Sequence, residues 1–157
     1  MNTFSCPCLL LTVVLAFAQQ ADKPPILIAI VAENKMVPAG SDVWINVSVT
    51  NASNQNLDDS GGFSDRTGLD PNLQFDVRDG SGKLVPKRTY PHPELETGKP
   101  VNRAIPPGET LSQEQRVSAL YEMTHPGKYT VQVSRRLPEA LGGGIIESNK
   151  ITITVKP

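Results

Sequence analysis

Beyond its first few residues this chain has no cysteine: Cys6 and Cys8 are the only two. Everything downstream is therefore without a disulfide, a thiolate nucleophile or a cysteine-held metal. Aromatic residues make up only 5% of the chain, with a single tryptophan, and there are two histidines, His92 and His125. Neither charge dominates, with 15 Lys+Arg against 16 Asp+Glu and a net charge of −1. That balance leaves no electrostatic footprint for nucleic acid or an anionic membrane. No apolar run approaches the roughly twenty residues that span a bilayer.

The apolar run that does occur, Leu9 to Ala18, ends in Ala16-Phe17-Ala18 before Gln19, the small-x-small pattern that precedes signal-peptidase cleavage. The pattern predicts a signal peptide over 1–18, a linker over 19–25 and one domain over 26–157. No Lys or Arg precedes the run, so the positive n-region rests on the terminal amine, and an uncleaved anchor is the alternative. A lipidated cysteine would follow the apolar core, whereas Cys6 and Cys8 precede it. A mature chain of about 139 residues buries roughly two thirds of its surface, enough for an exported domain to be stable without cross-links.

The remaining pattern is strand after strand. Ile26 to Glu33 is apolar on both faces. From Asp42 to Asn51, Val43, Ile45, Val47 and Val49 alternate with Trp44, Asn46, Ser48 and Thr50, the period of a half-buried strand. Leu73, Phe75 and Val77 repeat the alternation and lead into Asp79-Gly80-Ser81-Gly82, a hairpin turn. Lys83 to Lys87 reads as a short return strand, made an edge by Pro86. Leu111 to Tyr121 reads as a strand of imperfect parity, which predicts a bulge; a helix over 110–121 is the alternative. Tyr129, Val131 and Val133, then Ile151, Ile153 and Val155, supply the last two strands. With Ile28 and Ile30, these inward residues form the expected core. About seven short strands with turn residues between them predict an all-β, antiparallel sandwich.

The run His125-Pro126-Gly127-Lys128-Tyr129-Thr130-Val131 resembles the Asp-x-Gly-x-Tyr-x-Cys run that opens strand F of immunoglobulin-like domains. Gly127 and Tyr129 match, while His125 stands for the Asp and Val131 for the Cys. The likeness covers nearly all of 26–157 and is to disulfide-free immunoglobulin-like or fibronectin-III-like modules, as in exported bacterial proteins. A slight likeness to the BsuPI-type proteinase-inhibitor fold accompanies it. The resemblance implies an immunoglobulin-like β-sandwich in which the Tyr129 hydroxyl bonds back to nearby backbone. It says little of function, because this architecture hosts many roles.

Neither histidine lies in a nucleophile motif. His92 sits in a proline-rich loop and His125 in a turn, so the sequence predicts no catalytic residue. The loop 52–72 carries Asp58, Asp59, Asp65 and Asp70 among asparagines and glycines; calcium is the metal such oxygen ligands suit, although no EF-hand spacing is present. Trp44 has the parity of the polar face. It is expected to lie under the 88–108 segment; left uncovered, it would anchor a partner or, with Tyr90, stack on a sugar ring. Leu137 and Leu141, beside three glycines in the loop 136–146, are expected to be exposed at the same end as loop 52–72, where they either insert into a partner or form a mobile hairpin tip. The sequence thus predicts a non-catalytic, monomeric, exported binding or structural module. It would contact a protein outside the cytoplasm through loops 52–72 and 136–146, with no nucleic-acid partner and no membrane span once the signal is removed. Inhibition of an extracellular protease and carbohydrate binding are the alternatives.

Overall fold

The computed structural model describes residues 23–58, 72–89 and 104–157. The expected signal peptide therefore lies outside the described residues, as do Asp59, Asp65, Asp70, Tyr90 and His92. The described strands are β1 (Ile26–Ala32), β2 (Met36–Pro38), β3 (Trp44–Asn51), β4 (Leu57–Asp58), β5 (Leu73–Arg78), β6 (Ala104–Ile105), β7 (Thr110–Arg116), β8 (Gly127–Arg136), β9 (Ile145–Glu147) and β10 (Ile151–Lys156). One helical turn, α1 (Val117–Leu120), follows β7.

Two sheets carry the fold. The first has the order β1-β3-β7 and the second β2-β10-β8-β5, with β9 paired to the far end of β8. The short strands β4 and β6 pair with each other. In strand order this is an immunoglobulin-like β-sandwich. Its pairings are antiparallel except at one edge, where β2 runs parallel to β10. The chain leaves the first sheet after β1 and joins the second as β2. There Thr154 N–H donates to Lys35 O at 2.8 Å and Ala39 N–H to Lys156 O at 2.7 Å.

The interior is filled by alternate residues, as a period of two requires. Val43, Ile45, Val47, Val77, Val131, Val133 and Ile153 are all buried. Phe75 and Ile151, expected in the core, are only partly buried. Phe75 lies on β5, the last strand on its side of the second sheet, and Ile151 opens β10. Further apolar contributions come from Leu57, Val85, Ile105, Val117, Tyr121 and Met123.

Residues 110–121 contain no bulge. The β3–β7 register runs unbroken from Thr50 opposite Thr110 to Trp44 opposite Arg116. The apparent break in parity arises because two inward positions, Gln113 and Gln115, hold polar side chains, with Gln115 fully buried. The helical alternative holds only for the single turn α1, where Tyr121 N–H donates to Val117 O. The return segment after β5 makes an isolated bridge, Arg78 opposite Leu84, and not a full strand. The Tyr129 hydroxyl donates to His125 O at 2.8 Å, which fixes the turn entering β8.

Candidate binding surface

Every second residue of β1, β3 and β7 points away from the core, so the pairing registers lay out the outer face of the first sheet. Leu27, Thr50 and Thr110 form one row, Ala29, Ser48 and Ser112 the next, and Val31, Asn46 and Glu114 the third. Trp44 and Arg116 follow. The apolar second face of β1 read from the sequence is thus in solvent: Leu27 is 45% exposed and Val31 62%. Trp44 adds a third large apolar group at 37%, one diagonal step from Val31. Large exposed apolar side chains gathered on one face mark contact surfaces, whereas isolated ones do not.

Polar groups along this face are held in order. Ser48 and Ser112 hydroxyls lie 2.8 Å apart, as do those of Thr50 and Thr110. Such cross-strand hydroxyl pairs tie β3 to β7 and leave a flat surface of short side chains. The Arg116 guanidinium lies over the Trp44 ring, 5.7 Å from its centre, within cation–π range. Arg116 Nη1 also donates to Asp42 Oδ2 at 3.3 Å. The sequence places the 88–108 segment over Trp44; among the described residues it is Arg116 that packs on the ring.

Beside this corner lies an open bay of about 310 Å³ lined by Asp42, Arg88, Thr89, Arg116, Ser118 and Ala119. Ser118 Oγ donates to Asp42 Oδ1 at 3.3 Å and accepts the Val43 N–H at 3.0 Å, which places α1 against the start of β3. Arg88 Nε stands 3.6 Å from Glu122 Oε1, beyond hydrogen-bond distance. It is shielded from solvent and has no hydrogen-bond partner among the described residues.

The loop 136–146 differs from the expectation. Leu137 is buried, at 8% exposure, and Leu141 is partly buried against the core. A tight closure causes this: Leu137 N–H donates to Gly144 O at 2.9 Å, a 3-10 turn spans Glu139–Leu141, and Gly142, Gly143 and Gly144 all take positive φ. Glycine alone adopts three successive such conformations without strain. The leucines are thereby turned inward and do not form an insertion tip. Loop 52–58 does meet this loop, with Gln55 Nε2 reaching Ala140 O at 3.5 Å, so the two lie at one end as expected.

Of the four aspartates proposed for calcium, only Asp58 is among the described residues, as the second residue of β4. Among the described residues no group of three or more His, Cys, Asp or Glu side chains could hold a metal. His125 is exposed and contributes its carbonyl, not its ring, to the turn. No described helix is long and apolar enough to cross a membrane.

No protein-family model matches this chain, and no curated protein matches it.

Proposed function

We propose that this chain is a non-catalytic, exported binding module that recognises another protein through the outer face of β1-β3-β7. The observation that carries the reading is the grouping of Leu27, Val31 and Trp44, all substantially exposed, on one rigid sheet face. This moves the contact from the loops predicted by sequence to the sheet, since Leu137 and Leu141 face inward. Export rests on the Leu9–Ala18 run and its Ala-Phe-Ala ending.

Three strands of seven or eight residues, at about 3.4 Å per residue and spaced about 4.8 Å apart, give a face of roughly 300 Å². That is well below the ~800 Å² each partner contributes to a standard interface. The surface therefore suits a short segment or a transient encounter more than a permanent dimer.

The test is capture of secreted and envelope proteins on the immobilised full chain, with wild type beside the double variant Leu27→Asp, Val31→Asp. Outward-facing sheet positions tolerate charge, and an unchanged melting temperature would verify the fold. A partner retained by wild type and lost from the variant supports the reading. Equal capture by both contradicts it.

A further inference from the structure

We infer that the occupant of this face is an extended peptide segment of the partner, carrying an acidic side chain that enters the Arg88–Arg116 bay. The inference rests on the protein-binding reading and specifies its chemistry.

The bay holds more donors than its own acceptor uses. Two guanidinium groups line it, each with one ion-pair partner, Asp42 for Arg116 and Glu122 for Arg88. A guanidinium carries five N–H donors. The Arg116–Asp42 ion pair uses Nη1 at 3.3 Å and the Arg88–Glu122 ion pair uses Nε at 3.6 Å, while the two arginine side chains are 48% and 36% exposed. A visiting carboxylate satisfies this geometry, because its two oxygens accept paired N–H bonds from a guanidinium. Asp42 and the Trp44 ring hold Arg116 in place beforehand, so less side-chain freedom is lost on binding.

The face also gives such a segment a direction. Arg116 and Glu114 are successive outward residues of β7, with Glu114 in the row of Val31 and Arg116 in the row of Trp44. An acid placed over Glu114 is repelled, and one placed toward Arg116 is attracted. Trp44 lies one diagonal step from Val31 and Arg116 stands directly across from Trp44, with about 12 Å between Val31 and Arg116 at ordinary strand spacings. Alternate residues of an extended peptide face one way about 6.8 Å apart, so positions one and five, about 14 Å apart, reach from Val31 to the long Arg116 side chain, with position three over Trp44. The small footprint agrees with a peptide-sized occupant.

The experiment titrates the full chain with acetylated, amidated hexapeptides having valine or leucine at positions one and three, and aspartate, asparagine or lysine at position five. Trp44, the only tryptophan, reports binding by fluorescence, and calorimetry gives affinity. The aspartate peptides should bind about tenfold or more tightly than the asparagine peptides. Arg88→Gln should abolish that difference, while Arg88→Lys, which keeps the charge and loses the fork, should restore part of it. Equal binding of aspartate and asparagine peptides, each lost on Val31→Asp, overturns this inference and leaves the sheet face as the contact. Failure of every peptide overturns it as well, and capture that Leu27→Asp, Val31→Asp leaves intact removes the underlying reading. Arginine-dependent binding of a uronic-acid oligosaccharide, with none of the peptides, assigns the bay to a glycan and overturns the peptide.

Discussion

Asn149 holds both backbone polar groups of Ile30: its Oδ1 accepts the Ile30 N–H and its Nδ2 donates to the Ile30 carbonyl, each at 2.9 Å. Ile30 is in β1, at the edge of the first sheet, and Asn149 lies between β9 and β10 of the second. One side chain thus supplies to the edge strand what a neighbouring strand would, and fastens the two sheets at that edge. Open edges invite pairing with other chains, and a plug of this kind blunts one.

Asn149→Ala should therefore destabilise the fold by about 1–2 kcal/mol, the usual net worth of two partly buried hydrogen bonds. It should also raise the tendency to self-associate. Urea denaturation and light scattering check both. A midpoint equal to wild type would show that water replaces the amide at no cost.

Asn51 is the most enclosed polar side chain among the described residues. It donates to Ile105 O at 2.7 Å and Gln55 O at 2.8 Å, and accepts from Ser53 N–H and Oγ. It binds the end of β3 to β6 and to the turn after β3. Asn51→Ala should cost about 2–3 kcal/mol, because buried carbonyls lose their donors. Denaturation of the variant gives the number.

The two described tyrosines tie hydroxyls to backbone, Tyr129 to His125 O at 2.8 Å and Tyr121 to Phe75 O at 2.7 Å. Burial is the main cause holding both phenols above their ordinary value of 10.0, with carboxylate charge from Asp79 and Asp76 adding to it. The folded state thus favours the neutral phenol. Its contribution is complete below pH 10 and disappears as pH rises through the higher folded values. Tyr129→Phe should lose about 1 kcal/mol at neutral pH and show a shallower alkaline loss. Stability measured across the alkaline range checks the slope.

Asp79 behaves in the opposite sense. Hydrogen bonds from the Ser81 hydroxyl and the Ser81 N–H, opposed by desolvation and joined by the Lys83 N–H, set its carboxyl below the ordinary 3.8. Its contribution is present above pH 3.8 and is lost as pH falls through the lower folded value. Asp79→Ala should flatten the acid limb of the stability profile and loosen the 79–83 turn. An acid limb identical to wild type would contradict that assignment.

Period-two alternation makes most of the sandwich legible in the amino-acid order, since Val43 to Val49 and Tyr129 to Val133 announce which face is buried. It fails where chemistry departs from the pattern. Gln113, Gln115 and Arg135 occupy inward positions, and an inward polar residue reads as a break in parity. Leu137 reads as exposed because apolar residues beside glycines suggest a loose tip, yet three positive-φ glycines fold the loop back. The apolar outer face of β1 is visible as residues but not as a surface, because only pairing with β3 shows which side is left uncovered. The Arg88–Arg116 bay joins residues far apart in the chain, and no local spacing announces it.

The most direct test of the contact face is site-specific photo-crosslinking. A photoreactive amino acid is placed at Val31 in one full-length variant and at Ile145 in another; both positions are strongly exposed, at 62% and 63%, but on different sheets. The account predicts that the captured partner becomes covalently attached at position 31 and not at position 145. Attachment at position 145 with none at position 31 would contradict it.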